Sequence, residues 1–174
     1  MTKEEIRILS TVKLNLKKNS RVLDIGAGTG SVSIQMAQIC TEGEVIGIEK
    51  NLEALDVIYK NIDSFNITNL KVIEGEALQS FPKVLGEFDS IFIGGSGGNI
   101  EDIIKLYEQK LKIQGKMVLN FITINNLYKA MDTLKKLGFN VKCTEVTISK
   151  TRGETYMLMG YNPIFIIEGE KVNG

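Results

Sequence analysis

Residues 22–31 read Val-Leu-Asp-Ile-Gly-Ala-Gly-Thr-Gly-Ser, and this stretch decides the fold. The apolar residues before the first glycine predict a buried parallel strand. Glycines alternate at Gly26, Gly28 and Gly30, which allows a tight turn and lets a ligand approach the backbone. A helical pattern follows, and the free N–H groups at a helix start suit a polar or anionic ligand group. The stretch therefore predicts the first half of a nucleotide-binding crevice.

The composition of the 174-residue chain is that of one globular domain, which we expect to span residues 1–174. The 21 basic and 21 acidic side chains balance, which argues against a general nucleic-acid binder. No apolar run reaches membrane-spanning length and no signal-peptide pattern is present, so we expect no membrane partner and a cytoplasmic location. Cys40 and Cys143 are too few for a disulfide framework or a metal site, and we expect both as small core residues.

The chain has no histidine, and this limits its chemistry. Without histidine there is no usual general base at neutral pH, and no Ser-His or Cys-His nucleophile pair. Histidine is also the commonest metal ligand. Any reaction must therefore depend on carboxylates, on positioning and on a cofactor.

Hydrophobic periodicity predicts five strand–helix units and then two long β-patterned runs. The first helix is predicted to begin at a Thr2 cap, with Glu5 completing a capping box. It should extend to about Leu16 and bury the apolar face formed by Ile6, Leu9, Val12 and Leu16. Only residues 150–155 separate the runs at 139–149 and 156–167, which suits antiparallel strands and leaves no room for a crossover helix. The predicted fold is α/β, a mostly parallel sheet with an antiparallel edge.

The glycine motif is weak evidence by itself, and three further features narrow the choice of ligand. Ser31 stands where a dinucleotide fingerprint has its third glycine, which disfavours NAD or FAD. Glu49 ends the second predicted strand, and a carboxylate at this distance can accept both hydroxyls of a ribose. Glu76 and Ala77 follow the third strand, where an adenine edge would lie. The alternatives are a plain strand–helix turn for the glycines and a solvated strand end for Glu49.

Residues 94–98 read Gly-Gly-Ser-Gly-Gly after the fourth predicted strand. A loop with so little side chain can lie flat against a large planar substrate or a reacting methyl group. Candidate substrate contacts in this loop are Gly94, Gly95, Ser96 and Gly97. The alternative is a flexible loop before a helix.

The arrangement resembles the class I S-adenosylmethionine-dependent methyltransferases over nearly the whole chain. The resemblance implies a Rossmann-like fold: a seven-stranded, mostly parallel sheet with an antiparallel carboxyl-terminal hairpin and helices on both faces. It also implies that the glycine loop faces the methionine part of S-adenosylmethionine, the strand-two acid binds the ribose, and the strand-three loop meets the adenine. The cofactor contacts implied in this way are Asp24, Gly26, Ala27, Gly28, Thr29, Gly30, Glu49, Glu76 and Ala77. A purely structural role for Asp24, tying the loop amides together, is compatible with a bound cofactor.

Segments 2–7, 24–33, 93–98 and 162–165 together resemble the decarboxylating precorrin methyltransferases of cobalamin biosynthesis. Family members nearest in size methylate carbon 15 of cobalt-precorrin-6B. The resemblance implies a tetrapyrrole substrate, loss of carbon dioxide from a ring acetate, a homotetramer, and Thr2 as another contact of S-adenosylmethionine. Family members usually carry a short extension before residue 2, so part of the cover over the cofactor is expected to be missing or supplied differently.

The missing histidine agrees with this chemistry, because transfer of a sulfonium methyl group needs alignment more than a strong base. The macrocycle can accept the electrons released on decarboxylation, and no catalytic acid or base is assigned. Arg152 and Lys150, in the terminal hairpin, are candidate partners of substrate carboxylates, with a solvated charged turn as the alternative. Two other functions stay open: the same fold acting on tRNA or a protein side chain, and a non-catalytic methyltransferase-like subunit.

Overall fold

A computed structural model describes residues 3–94 and 98–172, and nine strands and six α-helices are found in this part of the chain. The helices are α1 (Glu4–Lys13), α2 (Ser31–Ile39), α3 (Leu52–Ser64), α4 (Ala77–Ser80), α5 (Ile100–Tyr107) and α6 (Ile124–Lys136). The strands are β1 (Arg21–Ile25), β2 (Glu44–Glu49), β3 (Leu70–Glu74), β4 (Phe88–Ile93), β5 (Leu111–Phe121), β6 (Phe139–Val146), β7 (Ser149–Arg152), β8 (Met157–Gly160) and β9 (Ile164–Lys171).

Seven of these strands form one sheet in the order β3-β2-β1-β4-β5-β9-β6. Neighbours from β3 to β5 are parallel, and β9 is antiparallel to both β5 and β6. The predicted mostly parallel sheet with an antiparallel hairpin is confirmed. The strand order reverses between β1 and β4, which is where open α/β sheets bind their ligands.

Apolar residues cover both faces of the sheet, as the resemblance implied. Alternate β1 residues face opposite ways: Val22 packs with Ile6 of α1 and Met36 of α2, whereas Leu23 packs with the apolar residues of α5 and α6. Val22 and Leu23 are both fully buried. The central strands therefore have the continuous apolar sequence of a sheet covered on two sides.

The two long β-patterned runs are each interrupted, which the periodicity did not predict. The first run forms β6, and the second divides into β8 and β9, of which β9 pairs with β6. β8 instead pairs with β7 in a separate two-stranded sheet, and most of β7 lies in residues 150–155, which were predicted to be only a connection. Pro163 lies at one interruption and has no N–H to donate to a ladder. The hairpin consequently extends beyond the main sheet, and β7 and β8 are exposed along their whole length.

The prediction for the first helix is wrong in its bounds and in part of its face. The N-cap is Lys3, with no side-chain capping bond, and the helix ends at Lys13. Leu9 and Val12 are exposed, whereas Ser10 is fully buried. The Ser10 hydroxyl can lie in the core because it donates to the Ile6 carbonyl at 2.7 Å.

The prediction that both cysteines are core residues is right for one of them and wrong for the other. Cys40 is buried as predicted, and burial raises the pKa of its thiol to about 11. Cys143 is exposed, because it lies in the edge strand β6, in which only the first residue, Phe139, is buried.

Candidate functional site

A cleft of about 860 Å³ opens at the carboxyl end of the sheet, at the reversal of strand order. One side of this cleft is the glycine loop between β1 and α2. We call the opposite side, formed by residues 120–123 and 160–162, the acceptor wall. The volume falls in the usual range for small-molecule sites. The other residues that line it are Lys3, Ile6, Asp24, Val32, Phe92, Gly94, Gly98, Asn126 and Ile164.

The glycine loop has the backbone conformation that its sequence predicts. Gly26, Gly28 and Gly30 have φ angles of 78°, 57° and 78°, a region that favours glycine. A Cβ atom added to Gly28 would meet no heavy atom within 4 Å, so this backbone faces open space. A Cβ atom on Gly30 would instead lie 2.4 Å from Cγ1 of Ile58. Gly28 is thus open towards a ligand, while Gly30 allows close packing of α2 against α3.

Glu49 holds the glycine loop in place. Its Oε2 accepts the N–H of Gly28 at 2.7 Å, and its Oε1 accepts the N–H groups of Lys50 and Asn51, each at 2.8 Å. The residue is 9% exposed. Oε1 has used both lone pairs on these bonds, while Oε2 keeps one for another donor. The side chain can therefore anchor the loop and accept one ligand hydroxyl at the same time.

Asp24 is a fully buried carboxyl group at the end of β1. Its Oδ2 accepts a hydrogen bond from the Ser33 hydroxyl, and its Oδ1 has no partner among the described residues. The pKa of Asp24 is raised to about 7, chiefly by burial and in smaller part by the negative charge of Glu49, while hydrogen bonds from Ser33 oppose the shift. A buried acceptor without a partner costs free energy, so Oδ1 fits a donor supplied by a ligand.

The ends of β2 and β3 bring Glu76 close to Glu49 in the fold. Glu76 is the N-cap residue of α4 and forms an ion pair with Lys50 at 2.8 Å, which raises the pKa of that lysine. The next residue, Ala77, has its carbonyl fixed by the Tyr107 hydroxyl at 2.7 Å. The residues that line the cleft do not include Glu49, Glu76 and Ala77. These three form a surface beside the cleft, beyond the glycine loop, which we call the ledge.

The predicted substrate contacts are only partly described. Gly94 lines the cleft, and its N–H donates to the Ile25 carbonyl at 3.0 Å. Thr2, Gly95, Ser96 and Gly97 lie outside the described residues. Arg152 is not brought to the cleft: it is exposed in β7 and pairs with Met157 of β8, so its carboxylate-binding role stays a prediction.

Several residues of the acceptor wall were missed by sequence reasoning. Asn120 donates to the Ser10 hydroxyl at 2.9 Å and interrupts the apolar run of β5, which is a signal that the sequence does carry. Asn162 belongs to segment 162–165, to which the sequence analysis gave no role, and Tyr161 lies directly before that segment. Lys3 had no signal of its own, because lysine at a helix start is ordinary. The remaining wall residues at the end of β5 are Phe121, Ile122 and Thr123, and Asn126 of α6 also lines the cleft.

Comparison with known proteins identifies the family. Residues 1–171 match the family model described as the precorrin methyltransferase domain. The chain belongs to the precorrin methyltransferase family. A relative of this family, the probable cobalt-precorrin-6B C(15)-methyltransferase (decarboxylating) of Sulfolobus acidocaldarius, is 40% identical, with 98% of this chain and 90% of that protein covered.

Two other relatives support the same family assignment. The cobalt-precorrin-6B C(15)-methyltransferase (decarboxylating) of Salmonella typhimurium is 34% identical, with 98% of this chain and 89% of that protein covered. The crystal structure of a precorrin-6y C5,15-methyltransferase from Geobacter metallireducens superposes with a TM-score of 0.94 at 36% identity, and the match covers 98% and 90% of the two chains. The sequence-based resemblance to decarboxylating precorrin methyltransferases is confirmed. No helix in the part of the chain that the structure describes has the length and apolar character needed to cross a membrane.

Proposed function

We propose that this protein is a cytoplasmic, S-adenosylmethionine-dependent enzyme of cobalamin biosynthesis. It methylates carbon 15 of cobalt-precorrin-6B and releases carbon dioxide from a ring acetate, the activity for which its relatives are named. One observation carries the proposal. The same cleft contains an open glycine loop and the fully buried Asp24, whose Oδ1 has no hydrogen-bond partner, and the chain belongs to the precorrin methyltransferase family. Cys40 and Cys143 are free thiols, which suits a reducing compartment.

The residues present fit S-adenosylmethionine. Asp24 Oδ1 suits the ammonium group of its methionine part, and the backbone of residues 26–30 leaves room beside Gly28. The spare lone pair of Glu49 Oε2 suits one ribose hydroxyl, where sequence analysis expected two. Glu76 and Ala77 on the ledge suit the adenine, and Thr2 stays a predicted contact. When bound, the cofactor supplies an activated methyl group on a sulfonium.

The chain's own contribution is alignment rather than proton transfer. Asn120 is oriented by the Ser10 hydroxyl, which itself donates to Ile6, so the amide is held in one orientation at the acceptor wall. A rigid polar group of this kind can fix a substrate at the distance that methyl transfer needs. In the decarboxylation, the bond from the acetate carbon to its carboxylate breaks, carbon dioxide leaves, and the electron pair passes into the conjugated macrocycle.

The decisive experiment measures both reactions on the intact protein. With cobalt-precorrin-6B and methyl-labelled S-adenosylmethionine, we expect one methyl group transferred and one carbon dioxide released per substrate. Methylation of bulk tRNA without any of the tetrapyrrole would support the nucleic-acid alternative. Normal cofactor binding with turnover only after a partner protein is added would support the subunit alternative. Absence of thermal stabilisation by S-adenosylhomocysteine would contradict all three.

Glu49→Ala is expected to weaken S-adenosylhomocysteine binding about 100-fold, because three backbone N–H groups lose an ionised acceptor and the loop loses its anchor. Isothermal titration calorimetry measures the dissociation constant. Glu53→Ala is the matched control: Glu53 is an exposed glutamate in the first turn of α3, and its loss should leave the affinity unchanged. If Glu49→Ala and Glu53→Ala changed the affinity for S-adenosylhomocysteine equally, Glu49 would not be a cofactor contact.

The hairpin of β7 and β8 supports the proposal of a homotetramer. Tyr156, Met157 and Leu158 are 76%, 60% and 68% exposed and form a continuous apolar stretch. Contiguous apolar surface of this kind marks interaction sites. Leu158→Glu should lower the oligomeric state measured by sedimentation velocity, whereas Leu85→Glu, at a 70% exposed leucine elsewhere, should not. An unchanged sedimentation coefficient for Leu158→Glu would exclude the hairpin as the interface.

A further inference from the structure

The segment before α1 and the segment after β8 meet at the cleft, although they are far apart in the sequence. The ammonium group of Lys3 lies 3.2 Å from the centroid of the Tyr161 ring, and both residues line the cleft. Two residues further along, Glu5 forms an ion pair with Lys150 of β7 at 2.5 Å. The two contacts hold the start of α1 against the base of the hairpin, so the position of Lys3 is fixed from both sides.

Lys3 supplies the positive charge of the cleft. Among the described residues that line it, the ionisable side chains are Lys3, Asp24 and Tyr161. Burial raises the pKa of Asp24 to about 7, and neither a carboxyl group nor a phenol can carry a positive charge. The other polar side chains on that side, such as Asn120 and Thr123, are uncharged hydrogen-bonding groups. A polyanionic substrate would therefore meet its strongest partner at Lys3.

The stacking arrangement leaves Lys3 able to bind an anion. A cation over an aromatic face is attracted by the ring quadrupole and needs no N–H for that contact. Its N–H donors stay available for a carboxylate, and a charge-assisted bond of this kind is stronger than a neutral one. Tyr161 thus provides a platform that orients the ammonium group towards the cleft.

The position of Lys3 favours the substrate over the cofactor. Lys3 contacts Tyr161 of the acceptor wall, on the side opposite the glycine loop. The carboxylate of a methionine group would find free backbone N–H groups at the start of α2, which suit an anion without any lysine. We propose that Lys3, held over the Tyr161 ring, binds a peripheral carboxylate of the tetrapyrrole substrate. This inference rests on the proposed function.

The test uses one ligand for the proposed substrate side of the cleft and another for the cofactor side. Uroporphyrin, a planar tetrapyrrole with eight carboxylates, is titrated by fluorescence quenching, and S-adenosylhomocysteine by calorimetry. Lys3→Met, which keeps the apolar stem and removes the charge, should weaken uroporphyrin binding about tenfold and leave the S-adenosylhomocysteine affinity unchanged. Lys3→Arg should restore most of the uroporphyrin affinity, because a guanidinium also stacks on an aromatic ring.

Variants elsewhere test whether the effect belongs to this arrangement. Tyr161→Leu removes the aromatic ring and should weaken uroporphyrin binding in the way that Lys3→Met does, and Tyr161→Phe, which keeps a ring, should bind uroporphyrin more tightly than Tyr161→Leu. Lys18→Met removes the same charge at an exposed position before β1, outside the cleft, and should change neither affinity. Circular dichroism spectra of all variants should match that of the unmodified protein, which shows that each variant is folded.

The other outcomes overturn the inference. An S-adenosylhomocysteine affinity that falls as much as the uroporphyrin affinity in Lys3→Met would place Lys3 at the cofactor. An unchanged uroporphyrin affinity, or a protein that binds S-adenosylhomocysteine but no uroporphyrin, would exclude the carboxylate contact. Failure of the unmodified protein to bind S-adenosylhomocysteine would instead contradict the proposed function, which keeps the two failures distinguishable.

Discussion

Asp24→Asn should make the protein more stable at pH 8 and leave its stability at pH 4 nearly unchanged. Burial raises the pKa of Asp24 to about 7, well above the ordinary value of 3.8 that it regains on unfolding. Between these two values the unfolded chain releases a proton that the folded chain keeps, so stability falls as pH rises through this window. Each pH unit corresponds to about 1.4 kcal/mol, and the full window to about 4 kcal/mol.

The measurement is the free energy of unfolding in urea at pH values from 4 to 8. The asparagine cannot ionise and can still accept the Ser33 hydrogen bond, so its curve should lack the downward slope of the unmodified protein. Asp56→Asn makes the same chemical change at an exposed position of α3 and should parallel the unmodified protein. Parallel curves for Asp24→Asn would show that Asp24 is ionised in the folded state across this range.

The same substitution should weaken cofactor binding, which explains why a destabilising carboxyl group can be useful at this position. If Oδ1 accepts from the ammonium of the cofactor, an amide retains an oxygen but loses the charge attraction. We expect a gain in stability together with a loss of affinity for S-adenosylhomocysteine, the trade-off that functional sites commonly have. The unpartnered Oδ1 of Asp24 thus lowers the stability of the free protein, as expected where the ligand supplies the missing hydrogen bond.

The glycine loop could be predicted because its determinants are local. Gly26, Gly28 and Gly30 each require a positive φ, and a strand before and a helix after them are indicated by short-range periodicity. Glu49 could be placed because parallel strands all end at the same edge of a sheet. What spacing could not show is that its carboxylate already accepts three backbone N–H groups, one from Gly28 in the glycine loop and two from Lys50 and Asn51 after β2.

The acceptor wall could not be predicted because it is assembled from distant segments. Asn120 is oriented by Ser10, and Lys3 by Tyr161, and no local pattern relates residues so far apart. The face of α1 was misjudged for a related reason. Periodicity assigned Leu9 to the core in place of Ser10, but a buried serine is stable there because its hydroxyl has a backbone partner. Contacts between distant segments decided the acceptor wall, and a side-chain bond to the helix's own backbone allowed Ser10 into the core.

Gly30→Ala should destabilise the protein by about 4 kcal/mol, the sum of a backbone penalty and a steric clash. Gly30 has a φ of 78°, which costs an L-residue about 1–2 kcal/mol. The new methyl group would also lie 2.4 Å from Cγ1 and 2.8 Å from Cδ1 of Ile58, a fully buried side chain of α3. Gly138→Ala is the control for the backbone penalty alone, because Gly138 has a φ of 81° and open space at its Cβ position.

A double-mutant cycle separates the clash from the backbone penalty. Ile58→Ala alone should cost about 3 kcal/mol through the cavity it leaves. In the double variant the methyl group at position 30 enters part of that cavity and the clash disappears, while the backbone penalty stays. The double variant should therefore be more stable than the sum of the two single losses by about 2 kcal/mol, measured by chemical unfolding. Strict additivity would mean that α2 and α3 move apart to accommodate the methyl group, so that close packing of these helices is not what requires glycine at this position.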